Sequence, residues 1–137
     1  MRTVEITKEA IAELAASAPR NTPITMLNLL RYRQQAHYAN GSDLPPCSGR
    51  EVYMTRYAAA VTPLVIERGA RIIWSGSVAG HPVCPDDERW DDILIVEYPD
   101  SDTIIGLLSD PAYLAQVHHR TAALEDSRLI TMLQHDP

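Results

Sequence analysis

The chain has 137 residues, of which 45% are hydrophobic and 22% are charged, a composition typical of one globular domain. Its formal net charge of -6 disfavours nucleic acid and anionic membrane as partners, because both require a basic face. No apolar run approaches the ~18 residues of a membrane span, and the charged N-terminus differs from a secretory signal. We expect one cytoplasmic domain, 1–137, in which Cys47 and Cys84 are free thiols; a contact or a shared metal between them is the alternative.

The first predicted element is a helix that Thr7 caps and that ends near Ala18, before Pro19. Its apolar residues recur at helical spacing and form one stripe: Ile11, Leu14, Ala15 and Ala18. We interpret residues 1–22 as a helical extension that packs at the edge of a core spanning residues 23–134.

A strand over Thr25–Arg33 opens this core, and it is apolar on both faces for most of its length. Each face must therefore be covered by another element. Asn28 lies in the middle of the strand, where an unpaired amide would cost roughly 1–3 kcal/mol. Either a neighbouring backbone group satisfies this amide, or Asn28 faces a cavity that water or a ligand fills.

The strand is followed by an irregular stretch, Gln34–Gly49, which carries His37 and Tyr38. Loops of this length inside a compact domain are usually functional or mobile, so we expect a lid, an arm to a partner or a solvated excursion. The next helix is predicted over Glu51–Arg68, and Pro63 is expected to kink it because proline removes a helical hydrogen bond.

The second half of the chain continues with a strand, Arg71–Val78, in which Ile72, Trp74 and Gly76 are predicted to share one face. Further along the chain, Asp110 and Pro111 are expected to divide the helical region that starts near Ser101 into two pieces. The remaining predicted elements are, in chain order, a flap at Gly80–Arg89, a strand at Trp90–Tyr98, a helix capped by Ser101, a second helical piece from Asp110 to Thr121, and a strand at Ser127–Leu133.

The order strand, helix, strand, strand, helix, strand is the split βαβ plan of ferredoxin-like α+β proteins. In this plan the helices cover one face of a four-stranded antiparallel sheet. Three of the predicted strands are nevertheless apolar on both faces, so a monomer would expose a larger apolar patch than soluble proteins tolerate. The sequence therefore predicts a homodimer in which two sheets pack face to face.

Four sequence blocks resemble one family of small bacterial proteins: Met26–Arg33, Tyr57 with Pro63-Leu64, Trp90-Asp91 with Val96–Pro99, and Arg120–Leu129. Over roughly Pro23 to Leu133 the chain resembles domain of unknown function 1330, of the dimeric α/β-barrel superfamily. The resemblance implies a ferredoxin-like protomer whose two sheets close into a barrel across a two-fold axis. Relatives in the superfamily include polyketide cyclases, quinone-forming monooxygenases, muconolactone isomerases and haem-handling enzymes, so the fold does not fix a reaction.

The candidate catalytic residues are Asn28, His118, Tyr53 and Arg120. The Asn28 amide can donate to a substrate carbonyl, unless it is a structural amide of the core. His118 is expected to face inward, whereas its neighbour His119 points away; a surface histidine at a helix end is the alternative. Arg120 either holds a substrate carboxylate or enolate, or joins ion pairs that lock the entry to the last strand. Tyr53 or His118 would then move a proton.

Five further residues are predicted to bind the substrate: Tyr57, Trp74, Trp90, Glu97 and Arg31. The chain has no phenylalanine, and tyrosine and tryptophan suit a pocket that is apolar yet forms hydrogen bonds; each ring alone can equally belong to the core. Glu97 is either a base with a raised pKa or the partner of Arg31, Arg71 or Arg128. We expect the pocket between sheet and helices, where Asn28, Tyr53, Tyr57 and Trp74 converge.

No motif for a nucleotide, a flavin or a metal is present in the sequence, and no cofactor is predicted. The first hypothesis is a cofactor-independent enzyme that uses acid/base chemistry on a small apolar oxygenated metabolite, such as a lactone, polyketide or quinol. It would be an isomerase, a cyclase or a monooxygenase. The second hypothesis is a binding or accessory protein with the same pocket but no turnover, and the third, least favoured, is a haem-binding member.

Overall fold

The structure is a computed structural model that describes residues 1–136. Its helices are α1 (Lys8–Ser17), α2 (Gly49–Val52), α3 (Ala59–Glu67), α4 (Ser101–Leu108), α5 (Pro111–Leu114) and α6 (Val117–Ala123), with a π-helical segment, Tyr53–Ala58, joining α2 to α3. Its strands are β1 (Ile24–Tyr32), β2 (Arg71–Ser77), β3 (Asp92–Tyr98) and β4 (Leu124–Met132). Among residues 1–136, no helix has the length and hydropathy needed to cross a lipid bilayer.

The four strands form one antiparallel sheet in the order β2-β3-β1-β4. The two inner strands are β3 and β1, and Asn28 in the centre of β1 lies opposite Leu94 of β3 and Leu129 of β4. The element order and the sheet confirm the predicted α+β, ferredoxin-like architecture.

One face of the sheet is covered by the helices and forms the core. Ile24, Met26 and Leu30 of β1 point to this face, and each is at most 3% exposed. The alternate residues of the inner strands point to the opposite face and are only half-buried: Leu27, Leu29, Ile93 and Ile95. Both faces of the inner strands are therefore apolar, as predicted, and the helices of the chain cover one of the two.

The helix on this covered face begins where the Ser48 hydroxyl accepts a hydrogen bond from the Glu51 amide, 3.1 Å away. Gly49 is required there, because a Cβ atom would lie 2.3 Å from the carbonyl oxygen of Ala123. The departure from α-helical geometry lies at Tyr53–Ala58, upstream of Pro63, and not at the proline where the sequence predicts a kink. The segment directs both of its tyrosines into the core.

The second half of the chain differs from the prediction at its caps and boundaries. Asp100, and not Ser101, caps α4 by accepting a hydrogen bond from the Thr103 amide at 2.8 Å. Asp110 caps α5 as predicted. The strand β4 begins at Leu124, three residues before the predicted start.

Strand β2 contains an irregularity between Ile72 and Trp74 that changes its pairing with β3. Ile72 lies opposite Val96 of the covered face, whereas Trp74 lies opposite Ile95 of the uncovered face. The prediction that Ile72, Trp74 and Gly76 share one face is therefore wrong. The indole of Trp74 folds over Gly76, where a Cβ atom would lie 2.6 Å from the ring.

The N-terminal extension is joined to β4 by a cluster of hydrogen bonds. The Thr3 amide donates to Oδ1 of Asp126 at 2.9 Å, and the Ser127 amide donates to the Thr3 carbonyl at 2.7 Å. Leu14 of α1 is buried in the core, and Ile6 packs against it. Residues 1–22 thus contribute to the core as well as covering its edge.

Candidate functional site

A cavity of about 90 Å³ lies between the sheet and the helices, and we call it the tyrosine cavity. Four of the residues predicted for the site line it: Asn28, Tyr53, Tyr57 and Arg120. Three elements bring them together, since Asn28 is on β1, Arg120 is on α6, and both tyrosines are in the π-helical segment. The remaining lining is mainly apolar, with two further tyrosines, Tyr98 and Tyr113.

Asn28 is held in place by the strand next to it. Its Nδ2 atom donates to the carbonyl oxygen of Leu94, 3.2 Å away. The two alternatives left open by the sequence therefore both apply, because a backbone carbonyl satisfies part of the amide while the side chain also lines the cavity. The carbonyl oxygen of the amide is free to accept a hydrogen bond from a ligand or water.

Tyr53 is 5% exposed, and its ring packs between Tyr32, at 5.6 Å between centroids, and Tyr57, at 5.1 Å. Burial raises the pKa of Tyr53 to about 12, against the opposing effect of the positive charge of Arg120. The hydroxyl makes no hydrogen bond to any group in residues 1–136. Tyr53 is therefore protonated at neutral pH and has a free donor at the cavity wall.

Two other tyrosine hydroxyls meet at the cavity. The hydroxyls of Tyr57 and Tyr113 are 3.0 Å apart, so one donates to the other and the second keeps a proton for another acceptor. Burial raises the pKa of Tyr57 and of Tyr98 well above the ordinary value. The phenols of Tyr57 and Tyr98 are therefore protonated donors, and neither is a base near neutral pH.

Arg120 is 5% exposed, which is unusual for a charged side chain. Its guanidinium donates to the carbonyl oxygen of Val4 and to the Ser127 hydroxyl, 3.4 Å away. Both acceptors are neutral, and within residues 1–136 Arg120 forms no ion pair. Its charge is therefore available to a ligand. The ion pair near the start of β4 is formed by Asp126 and Arg128 instead, which are 2.6 Å apart.

The tyrosine cavity is thus rich in hydrogen-bond donors. Arg120 supplies a positive charge, Tyr53 supplies a neutral donor, and the amide nitrogen of Asn28 keeps a second N–H beside the one that the Leu94 carbonyl accepts. Among its described lining residues there is no carboxylate and no histidine. Such a lining favours a ligand that presents a carbonyl, enolate or carboxylate oxygen, and donors fixed in this way stabilise negative charge that develops during a reaction.

His118 does not lie at this cavity. Its side chain is exposed, and its neighbour His119 is the more buried of the two. The His119 Nδ1 atom is 2.6 Å from the hydroxyl of Tyr38, which also accepts a hydrogen bond from Arg56 at 3.1 Å. The predicted orientation of His118 is therefore wrong: the helix turns His119 toward the Gln34–Gly49 loop, and neither ring reaches Asn28.

Three of the other predicted residues also lie outside the tyrosine cavity. Trp74 is 51% exposed on the uncovered face of the sheet, so the prediction that it converges with Asn28 is wrong. Glu97 pairs with Arg71 at 2.9 Å, which confirms the ion-pair alternative. Trp90 is buried, but it lies beneath the guanidinium of Arg128, 4.9 Å from its ring centre.

Arg31, the last of the predicted residues, lies 4.0 Å from Glu125 at the start of β4 and not at the cavity. Tyr113, which also lines the tyrosine cavity, was not among the predicted site residues, although its helical spacing to Val117 indicates an inward-facing position. The sequence reasoning also missed Asp92, which is 7% exposed and accepts hydrogen bonds from Tyr32 at 2.8 Å and Arg50 at 2.7 Å. No signal in the sequence linked Asp92 to these partners.

Within residues 1–136 the cysteines and the other side chains able to bind a metal form no separate site. Cys47 and Cys84 are both free thiols, as predicted. Within residues 1–136 no group of three or more histidine, cysteine, aspartate or glutamate side chains is arranged to hold a metal ion.

Fold and cavity together define a ferredoxin-like α+β protein with a tyrosine-lined cavity between the sheet and the helices. The chain belongs to the family of the RPA0582 protein of Rhodopseudomonas palustris, described as a protein of unknown function. It is 35% identical to that protein over 100% of both chains, with a TM-score of 0.87. A crystal structure of the methylated RPA0582 protein gives the same 35% identity over 99% of this chain and 97% of that one, with a TM-score of 0.89.

A more distant similarity concerns the fold alone. A dimeric protein of unknown function and ferredoxin-like fold from Bacteroides fragilis is 16% identical, with a TM-score of 0.52 over 85% of this chain and 100% of that one. No family model and no curated protein matches the chain. Membership of domain of unknown function 1330 therefore stays a prediction.

Proposed function

We propose that the protein binds a small apolar metabolite through an oxygen atom that Arg120 and the cavity hydroxyls hold. The single observation that carries this proposal is the burial of Arg120 at the tyrosine cavity with only neutral hydrogen-bond acceptors. A buried positive charge is costly unless it is paired, and a ligand oxygen with negative charge would supply the missing partner. The apolar side chains that line the cavity, such as Val61 and Leu107, suit the carbon skeleton of a lactone, polyketide or quinol.

The tyrosine cavity is small, so it encloses only part of a larger ligand. Pockets for drug-sized ligands are ~300–1,000 Å³, whereas the tyrosine cavity is about 90 Å³. It therefore accommodates the oxygenated end of a metabolite or a very small molecule.

A cofactor-independent enzyme is the second candidate function, and the free hydroxyl of Tyr53 favours it. With a pKa raised to about 12, this phenol can donate a proton or a hydrogen bond to a carbonyl oxygen as an enol forms. Arg120 would stabilise the same oxygen. His118 lies elsewhere and cannot be the base of this reaction. The proton that leaves the substrate carbon would pass to solvent or to a basic group of the substrate.

Isothermal titration of a panel of lactones, quinols and small carboxylates tests the binding proposal. We expect at least one class to bind the wild type, and we expect Arg120→Gln and Tyr53→Phe each to weaken binding about tenfold or more. Tyr38→Phe is the matched control, because Tyr38 lies on the loop and lines no part of the tyrosine cavity. Equal binding by all four proteins would contradict the proposal, and turnover of a bound compound would favour the enzyme.

We also propose that the protein is a homodimer whose sheets pack face to face into an α/β barrel, as in the domain of unknown function 1330 family. The uncovered face supports it, because Trp74 and Ile130 are 51% and 44% exposed there beside the half-buried Leu27 and Ile95. A second copy of the chain offers an apolar surface of the same shape. The Bacteroides fragilis protein of similar fold, described as dimeric, is in keeping with this arrangement.

A further inference from the structure

We infer that the ligand is an apolar carboxylate, that its chain occupies a second cavity beside the tyrosine cavity, and that Ile6 sets the length of chain that fits. The inference rests on the proposed binding function and adds the substrate class and a residue that determines specificity. Two observations carry it: the shared wall of the two cavities and the unpaired charge of Arg120.

The second cavity, which we call the N-terminal cavity, has a volume of about 490 Å³ and lies between the N-terminal extension and helices α4 to α6. It shares four lining residues with the tyrosine cavity: Ile6, Leu108, Tyr113 and Arg120. The two cavities are therefore adjacent and have these four side chains in common. Alone, the tyrosine cavity is below the usual range for a ligand pocket, and the N-terminal cavity is within it.

The walls of the N-terminal cavity suit a hydrocarbon chain. Away from the shared residues it is lined by Ile11 of α1 and by Leu114 and Val117 of the opposite helices. Apart from Arg120, its charged residues are Glu5 and Lys8, which are both exposed. Burial of a hydrocarbon chain between the apolar walls is favourable by ~0.8 kcal/mol per methylene, which corresponds to about fourfold in affinity.

Arg120 fixes the chemistry of the other end of the ligand. It is the one cation that lines both cavities, and its hydrogen-bond acceptors, the Val4 carbonyl and the Ser127 hydroxyl, carry no charge. Arginine binds a carboxylate through two parallel hydrogen bonds, which a neutral carbonyl cannot accept in the same way. A carboxylate at Arg120 with its chain directed past Ile6 uses both cavities.

Ile6 is well placed to limit that chain. It lines both cavities, and the hydrogen bonds of Thr3 to Asp126 and Ser127 hold the extension that carries it. A larger side chain at this position would reduce the space beside Arg120 in both cavities, and a smaller one would enlarge it. Ile66 is the matched control, because it is 50% exposed on α3 and lines neither cavity.

The test is titration of butanoate, hexanoate, octanoate and decanoate into the wild type and into Ile6→Ala, Ile6→Trp and Ile66→Ala. In the wild type we expect affinity to rise about fourfold per added methylene until the chain fills the N-terminal cavity. Ile6→Trp should move the best chain length to a shorter acid, Ile6→Ala to a longer one, and Ile66→Ala should keep the wild-type profile. Circular dichroism checks folding, and Ile6→Phe replaces the tryptophan variant if that one does not fold.

Each outcome separates this inference from the function on which it rests. Binding of a neutral lactone or quinol, but of none of the carboxylates, would overturn the ligand class and leave the binding function standing. Binding of carboxylates with the same length profile in all variants would overturn the role of Ile6. Failure of every compound in both panels would contradict the binding function itself, and with it this inference.

Discussion

The hydroxyls of Tyr57 and Tyr113 lie 3.0 Å apart, and this contact joins the π-helical segment to α5 across the tyrosine cavity. Both rings are at most 8% exposed, so the hydroxyls have few alternatives to each other. The hydrogen bond therefore fixes the π-helical segment relative to α5. The hydroxyl that accepts it keeps its own proton for a ligand or water in the cavity.

Tyr57→Phe should lower the free energy of unfolding by about 1 kcal/mol, because it removes one hydrogen bond and leaves the Tyr113 hydroxyl unpaired. Urea denaturation followed by circular dichroism measures the change. Tyr98→Phe is the matched control, since Tyr98 is similarly buried but its hydroxyl has no hydrogen bond to any group in residues 1–136. An equal loss in the two variants would show that the contact contributes nothing.

Asn28→Leu should change the free energy of unfolding by less than about 1 kcal/mol, because the lost hydrogen bond to Leu94 is offset by burial of the leucine side chain. Ligand binding should weaken by ~1–3 kcal/mol, the effect of removing a polar partner of the ligand. Thermal melts and titration of the same variant give both numbers. A sharp fall in stability with unchanged affinity would mean that Asn28 is a structural amide.

Ile95→Lys should prevent dimer formation, because it places a charge in the middle of the uncovered sheet face. Sedimentation at micromolar concentration should show a dimer for the wild type and a monomer, or no soluble protein, for the variant. Val83→Lys is the control, since Val83 is fully exposed on the flap. A wild type that sediments as a monomer would end the dimer proposal.

Stability should fall as the pH drops below about 6.5, the ordinary pKa of histidine, because the fold lowers the pKa of His119. Burial is the main cause, and the nearby His118 and Arg56 add to it. The unfolded chain then binds a proton more readily than the folded chain, so acid favours unfolding until the pH falls below the folded pKa. Since His119 is only half-buried, we expect a loss below about 1 kcal/mol.

The same proton would also weaken the contact of His119 with Tyr38, because protonated Nδ1 no longer accepts the hydrogen bond. His119→Asn keeps an acceptor near that position and has no titratable group. Urea denaturation across this pH range should therefore give a flatter profile for His119→Asn than for the wild type. Profiles that superimpose would assign the pH dependence to other groups.

The fold could be predicted because its signals are local. Short apolar runs indicated the strands, and Thr7 and Asp110 marked helix starts that the structure retains. The cavity could be predicted in part, since Asn28 was identified as a polar residue within an apolar strand. That Asn28 and Arg120 line the same cavity depends on contacts between distant segments, which one sequence does not specify.

The errors have two physical causes. The irregularity in β2 adds a residue to the strand, so every side chain after Ile72 changes face, and Trp74 leaves the cavity for the opposite surface. The choice between His118 and His119 depended on the exact phase of α6, which begins only after the break that follows Leu114. Neither a strand irregularity nor a helix phase has a strong signal in composition or spacing.

The hydrogen bonds between Thr3 and Ser127 close a loop of almost the whole chain, since their partners are 124 positions apart. Closing so long a loop costs conformational entropy. Arg120 takes its Val4 acceptor from this same end of the chain, whereas its Ser127 acceptor belongs to β4. Local opening of this end of the chain therefore requires no unfolding of the sheet and gives a ligand a route to Arg120.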